Sequence, residues 1–177
     1  MIRLLAVVPF LVLGLGLLAP APADAATGTT TAAVLRPVAP DVAPARRLVQ
    51  RDMEDRILAL TNQQRVSNGC RALRPSKHLR RAARRHTVTM ARAGVMSHQL
   101  PGEASFSARI SRAGYRGWSR VAENIARGFS SPEAVMTAWM ESPGHRQNIL
   151  NCRLRELGVG VVLSDDQLWW TQDFGRR

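Results

Sequence analysis

Four histidines and two cysteines carry most of the reactive side-chain chemistry in this 177-residue chain. His98 stands in Met96-Ser97-His98-Gln99, an irregular stretch from which a side chain reaches a cleft more readily than from a core helix. His145 follows Ser142-Pro143-Gly144, which reads as an N-cap and a proline at the first helical position. It therefore falls in the first turn of a helix, where the positive end of the dipole disfavours protonation. A neutral imidazole at pH 7 can ligate a metal or accept a proton. The other two histidines read differently. His86 lies on the apolar stripe of a helix and is expected as a packed, hydrogen-bonded core residue, and His78 lies near a helix start among basic residues and is expected at the surface.

Cys70 and Cys152 are too few for a zinc ribbon or a knottin-like framework, and the N-terminal segment suggests their role. Met1-Ile2-Arg3 gives a basic start, Leu4 to Ala19 is an almost unbroken apolar run, and Ala23-Asp24-Ala25 offers small residues to signal peptidase. Residues 1–25 read as a secretory signal peptide whose removal leaves no spanning segment, so a secreted, extracellular chain is expected; an uncleaved signal anchor over Leu4 to Ala23 is the alternative, disfavoured by Pro20 and Pro22. In an oxidising compartment the two cysteines are expected to pair. Such a bond would join the helical first half to the last strands and stabilise the fold by about 4 kcal/mol in the chain-entropy model. A catalytic thiolate is the alternative, with His145 seven residues from Cys152, but nothing marks either cysteine as a nucleophile.

The elements that must position these residues follow from periodicity. Residues 26–45 are rich in Ala, Thr, Pro and Val and read as an extended linker, leaving 46–177 as one domain. Leu48, Val49, Met53, Ile57, Leu58 and Leu60 recur at helical spacing between Arg46 and Val66, and Asn68-Gly69 stops that helix. A second helix spans about Ser76 to Ala93, with Leu79, Ala82, Ala83, His86, Met90 and Ala93 on one stripe. A short one is expected over Phe106 to Ala113. Ser131-Pro132-Glu133 opens another that ends near Ser142, and the next runs toward Leu150. From Glu156 the period changes to two, and Ser164-Asp165-Asp166 separates two strands of a hairpin through Trp169, Trp170, Thr171 and Phe174. Helices early and strands late give an α+β domain with helices packed on a small, mainly antiparallel sheet.

Charge is the most conspicuous feature of the composition. The formal net charge is +12, and Lys77 is the only lysine among 25 basic residues. Nucleic acid would suit that charge, but export and the absence of any reader motif argue against it. The run Arg80, Arg81, Arg84 and Arg85 reads first as a solvated helix flank, with an anion site as the sharper alternative. Anionic lipid and cell-wall polyanions are the partners such a charge would meet outside a cell.

Read in order, Ser97-His98, Ala122-Glu123-Asn124-Ile125, Trp139 through Leu150, Leu157-Gly158-Val159-Gly160 and Trp170-Thr171-Gln172 resemble the CAP superfamily of cysteine-rich secretory, antigen 5 and pathogenesis-related proteins. The resemblance covers Arg47 to Gly175. It implies a three-layer α-β-α sandwich, the CAP or SCP fold, with a central cleft whose rim carries two histidines and two acidic residues. His98, Glu123 and His145 match three of these four. Ala122 replaces the usual glycine before the glutamate. The second acid has no in-register match: Ser142 takes its place and Glu141 lies one position off.

What the resemblance implies chemically is a binding cleft formed by His98, Glu123, Ser142 and His145. The two imidazoles, with the carboxylate, would suit a divalent ion, Zn2+ above others. The favoured expectation is a non-enzymatic, monomeric binding protein with a possible groove for lipid or another small ligand. A cell-surface hydrolase acting on peptide or polymer through Glu123, His98 and His145 is the alternative, and a basic envelope-binding protein is the third.

Overall fold

Helix α1 (Ala43–Ser67) is amphipathic in an unusual sense, because its buried stripe of Glu54, Ile57, Thr61 and Arg65 is mostly polar. The computed structural model describes residues 43–177; the expected signal peptide and residues 26–42 of the expected linker lie outside them, and 43–45 belong to α1 rather than to a linker. Each buried polar group of α1 has a partner. Glu54 accepts from Arg84 at 2.6 and 2.5 Å, and Thr61 donates to the Ile57 carbonyl. Arg65, wholly buried, donates to the carbonyls of Arg71, Ile149, Asn151 and Leu154. The expected apolar face is therefore only partly correct. Leu48 and Val49 are exposed, because no residue of α1 before Glu54 is buried.

The short strand β1 (Arg74–Pro75) leads into α2 (Lys77–Ala93), which Ser76 caps by accepting the Leu79 amide and Gly94 ends in the left-handed region. Helix α3 (Phe106–Arg112) and strand β2 (Arg120–Arg127) follow, then α4 (Pro132–Glu141) and α5 (Pro143–Ile149), both opening with proline. Strands β3 (Glu156–Ser164) and β4 (Gln167–Arg176) form the expected hairpin. Asp165 and Asp166 both have positive φ, as a two-residue turn of the primed type requires.

The sheet order is β1-β3-β4-β2, antiparallel except for the two-residue parallel pairing of β1 with β3. Alternation along each strand sorts the core into two layers. Leu157, Val159, Val161, Trp170 and Phe174 pack with Ile57, Val135, Met136, Trp139 and Ile149 of α1, α4 and α5. On the other face, Leu79 and Ala82 of α2 pack with Ile110 of α3 and with Ala113 and Tyr115, while Met90 and Ala91 pack against Ile125 and Trp169. The result is the three-layer α-β-α sandwich. The Cys70–Cys152 disulfide is formed, as expected. His78 departs from expectation: it is half-buried, with Nδ1 3.1 Å from the Ala113 carbonyl, because α3 ends against the start of α2. Among the described residues no helix is long and apolar enough to cross a membrane.

Gly158 and Gly160 set how closely α2 lies on the sheet. A Cβ at Gly158 would stand 1.9 Å from the Arg80 amide nitrogen, and one at Gly160 would stand 2.6 Å from backbone atoms of Ala83 and Arg84. The obstruction is helix backbone, which cannot swing aside as a side chain can. Gly158→Ala should therefore destabilise the domain by about 3 kcal/mol or more. Urea denaturation checks this, with Gly144→Ala, where a Cβ meets nothing within 4 Å, as the control.

Candidate functional site

Strand β2 lies at the sheet edge, and its alternation sends neighbouring residues to different layers. Glu123 faces the α2–α3 layer, whereas Asn124 faces α5, where its side-chain amide donates to Gln172 Oε1 at 3.0 Å and to the His145 carbonyl at 3.2 Å. Asn148 of α5 in turn donates to Asn124 Oδ1 and to the Glu123 carbonyl. These amides fix α5, and with it His145, against the strand that carries Glu123.

The Glu123 carboxylate is buried and fully engaged. His98 Nδ1 lies 2.9 Å from Oε1, and Arg109 donates to Oε2 at 2.7 Å. An ionised carboxylate only accepts, so Nδ1 of His98 carries the proton. Arg109 also reaches the His98 carbonyl at 2.9 Å and Glu103 at 3.4 Å, and its guanidinium lies over the Phe106 ring. His86 bridges two acids: Nδ1 is 2.9 Å from Glu103 Oε1, and Nε2 is 3.9 Å from Glu123 Oε2. It is buried and hydrogen-bonded, as the sequence suggests, but it belongs to the site's charge network.

Asp173, opposite Glu123 in the β2–β4 register, supplies a second acid that sequence reasoning missed. Burial, then the neighbouring Glu123 carboxylate, push the Asp173 carboxyl well above its usual range, with Arg109 opposing. Burial would raise Glu123 too, but the His98 hydrogen bond, the charges of His86 and Arg109 and the Arg109 hydrogen bond together hold it below its usual range. The two neighbouring carboxyls are thus pushed in opposite directions, Glu123 toward its ionised form and Asp173 toward its protonated form. Glu103 and Arg109 were missed as well. Arg109 carried no distinguishing signal among so many arginines, whereas Asp173 was legible in principle as a lone acid in an apolar strand.

His145 and Ser142 stand on a different wall. His145 is half-buried and held below its usual pKa, by burial first and then by the nearby charge of His98. The expected direction holds, with a different cause from the helix dipole. Ser142 joins α4 to α5. With Met96, Ile125, Phe129, Trp139 and His145 it lines a mainly apolar groove of about 220 Å³ that Arg127 also borders, and the Trp139 indole donates to the Ile125 carbonyl on the edge of β2. Glu141, the other candidate for the missing acid, is exposed and lines a separate hollow with Leu60 and Arg146.

The donor set does not fit a Zn2+ ion shared by His98, Glu123 and His145. Both Glu123 oxygens are held, one by a guanidinium, and among the described residues no three His, Cys, Asp or Glu side chains are placed to hold one ion.

An α-β-α sandwich with a His/Glu cluster at the open edge of its sheet defines a small cleft-bearing domain of the secretory-protein type. The chain belongs to the cysteine-rich secretory protein family, CAP, whose family model matches residues 58–174. It is similar to the uncharacterized protein YkwD of Bacillus subtilis, 36% identical over 121 residues that cover 68% of this chain and 46% of that protein. It also resembles the uncharacterized membrane protein YlbC of the same organism, 32% identical over 73% of this chain and 36% of that one. The chain thus spans less than half the length of these curated relatives. Among solved structures, an extracellular protein of Bacillus anthracis containing an SCP domain superposes with TM-score 0.71 at 29% identity, over 80% of this chain and 45% of that one. An outer surface protein of Borrelia burgdorferi shares the fold, with TM-score 0.63 at 18% identity over 77% of this chain and 96% of that one.

Removing Arg109 would strip the nearest permanent cation from Glu123 and Glu103. Arg109→Ala should cost about 3 kcal/mol of stability, the usual scale for breaking a buried ion pair. Arg112→Ala, an exposed change in the same helix, should stay within about 0.5 kcal/mol in the same denaturation series.

Proposed function

We propose that this is an extracellular binding domain that takes a small ligand with an apolar chain into the groove beside His145. The observation that carries the reading is the groove itself, a mainly apolar trough at the edge of β2 with a half-buried, neutral-leaning imidazole, the Ser142 hydroxyl and Arg127 in its wall. Apolar lining supplies affinity, and a few polar groups fix the orientation of a bound head group. The extracellular assignment is supported by the signal-like N-terminus, the disulfide and the similarity to an SCP-domain protein described as extracellular.

A hydrolase that used Glu123 as general base would need that carboxylate free to take a proton. Its oxygens are instead committed to His98 and Arg109, an arrangement that favours a fixed cleft wall over turnover.

Octanoate and octanol serve as probes of matched chain length. Calorimetric titration should show octanoate binding that Ser142→Phe, which fills the groove, weakens at least tenfold. His145→Gln should weaken octanoate more than octanol. An isotherm unchanged by Ser142→Phe would overturn the reading.

A further inference from the structure

A hollow between α1 and α2 lies away from the groove beside His145. It encloses about 600 Å³, and six cations line it: Arg51, Lys77, Arg80, Arg81, Arg84 and Arg85. Two of these are anchored. Arg80 pairs with Asp55 and lies 3.6 Å from Glu54, while Arg84 pairs bidentately with Glu54. The other four, Arg51, Lys77, Arg81 and Arg85, make no ion pair among the described residues. The hollow therefore has walls fixed by buried or half-buried pairs and a lining with four uncompensated positive charges.

The charges form a row. Lys77, Arg81 and Arg85 recur every four residues along α2, so they lie on one face over about 12 Å. Arg51 and Arg84 also border a second hollow with Arg47, Val161 and Val162, which carries the positive lining along the outer edge of β3 beyond its short pairing with β1. One small anion can neutralise only part of such a row. A flexible chain with regularly repeated charge can follow it, and guanidinium forks match phosphate oxygens bidentately. The concave shape disfavours a flat bilayer surface. No aromatic side chain lines either hollow, so there is no platform on which nucleic-acid bases could stack.

We infer that this track binds a linear, phosphate-bearing polymer without bases, of the kind an exported protein meets as an envelope polyanion. The site is separate from the proposed apolar-ligand groove and does not depend on it.

The test is calorimetric titration of the full chain with medium-chain inorganic polyphosphate over a salt series. Compared with the unaltered chain, the quadruple variant Arg51→Gln, Lys77→Gln, Arg81→Gln, Arg85→Gln keeps Arg80 and Arg84 with their carboxylates and is expected to retain its melting transition. It should bind at least tenfold more weakly and lower the slope of log affinity against log salt by about three. The double variant Arg81→Gln, Arg85→Gln should lose roughly half of that slope change, which keeps the test valid if the quadruple variant does not fold. A charge-matched control, Arg92→Gln, Arg116→Gln, Arg120→Gln, Arg153→Gln, changes exposed arginines elsewhere and should bind within about twofold of the unaltered chain. Equal weakening in the control would overturn the proposal by making binding a matter of net charge. So would single-stranded DNA that binds as tightly as polyphosphate, or phosphatidylglycerol vesicles that bind through these four residues while polyphosphate does not.

Discussion

One buried carboxylate organises the cleft. Glu123 lies inside the domain with a negative charge, and such a charge persists only where partners replace the water it has lost. Arg109 from α3, His98 from the loop after α2 and His86 from within α2 are drawn together around it. Asp173, from the neighbouring strand, completes the group, and its burial beside Glu123 favours the protonated form. The loop bearing His98 is thereby tied down at two points, by its ring to Glu123 and by its carbonyl to Arg109. Remove the charge on Glu123 and the reason for this convergence is gone.

The scaffold makes that convergence possible through two devices in the strands. Glycines at 158 and 160 let the backbone of α2 rest directly on β3, which sets the depth at which His86 enters the core. Adjacent residues of β2 then divide the work: Glu123 gathers the charge network on one face, while Asn124 ties α5 to the sheet on the other. Because β2 is an edge strand, the polar network and the groove beside His145 lie near the same sheet edge without sharing a wall.

Much of the frame was legible in the sequence for simple physical reasons. The proline-opened helices, the hairpin over a two-residue turn and the pairing of Cys70 with Cys152 all follow from local chemistry or from counting. His98 and Glu123 were legible as partners through the resemblance. Other features depend on tertiary contacts that periodicity does not report. Leu48 and Val49 fit an apolar stripe, yet they precede the part of α1 that reaches the core. Arg65 looks like any surface arginine until four carbonyls at a chain reversal are seen to need a donor. Asp173 comes beside Glu123 only through cross-strand register, which the spacing of residues along one strand does not report.

The division of charge between Glu123 and Asp173 is the central claim, since it decides whether Glu123 is the fixed charge at the centre of its network or a group free to take up protons. Carbon-detected NMR titration of the side-chain carboxyls tests it directly. Glu123 should remain ionised down to pH values below the usual glutamate range, while Asp173 should stay protonated well above the usual aspartate range. A Glu123 that titrates at or above the ordinary glutamate value, with Asp173 ionised near the ordinary aspartate value, would contradict the account.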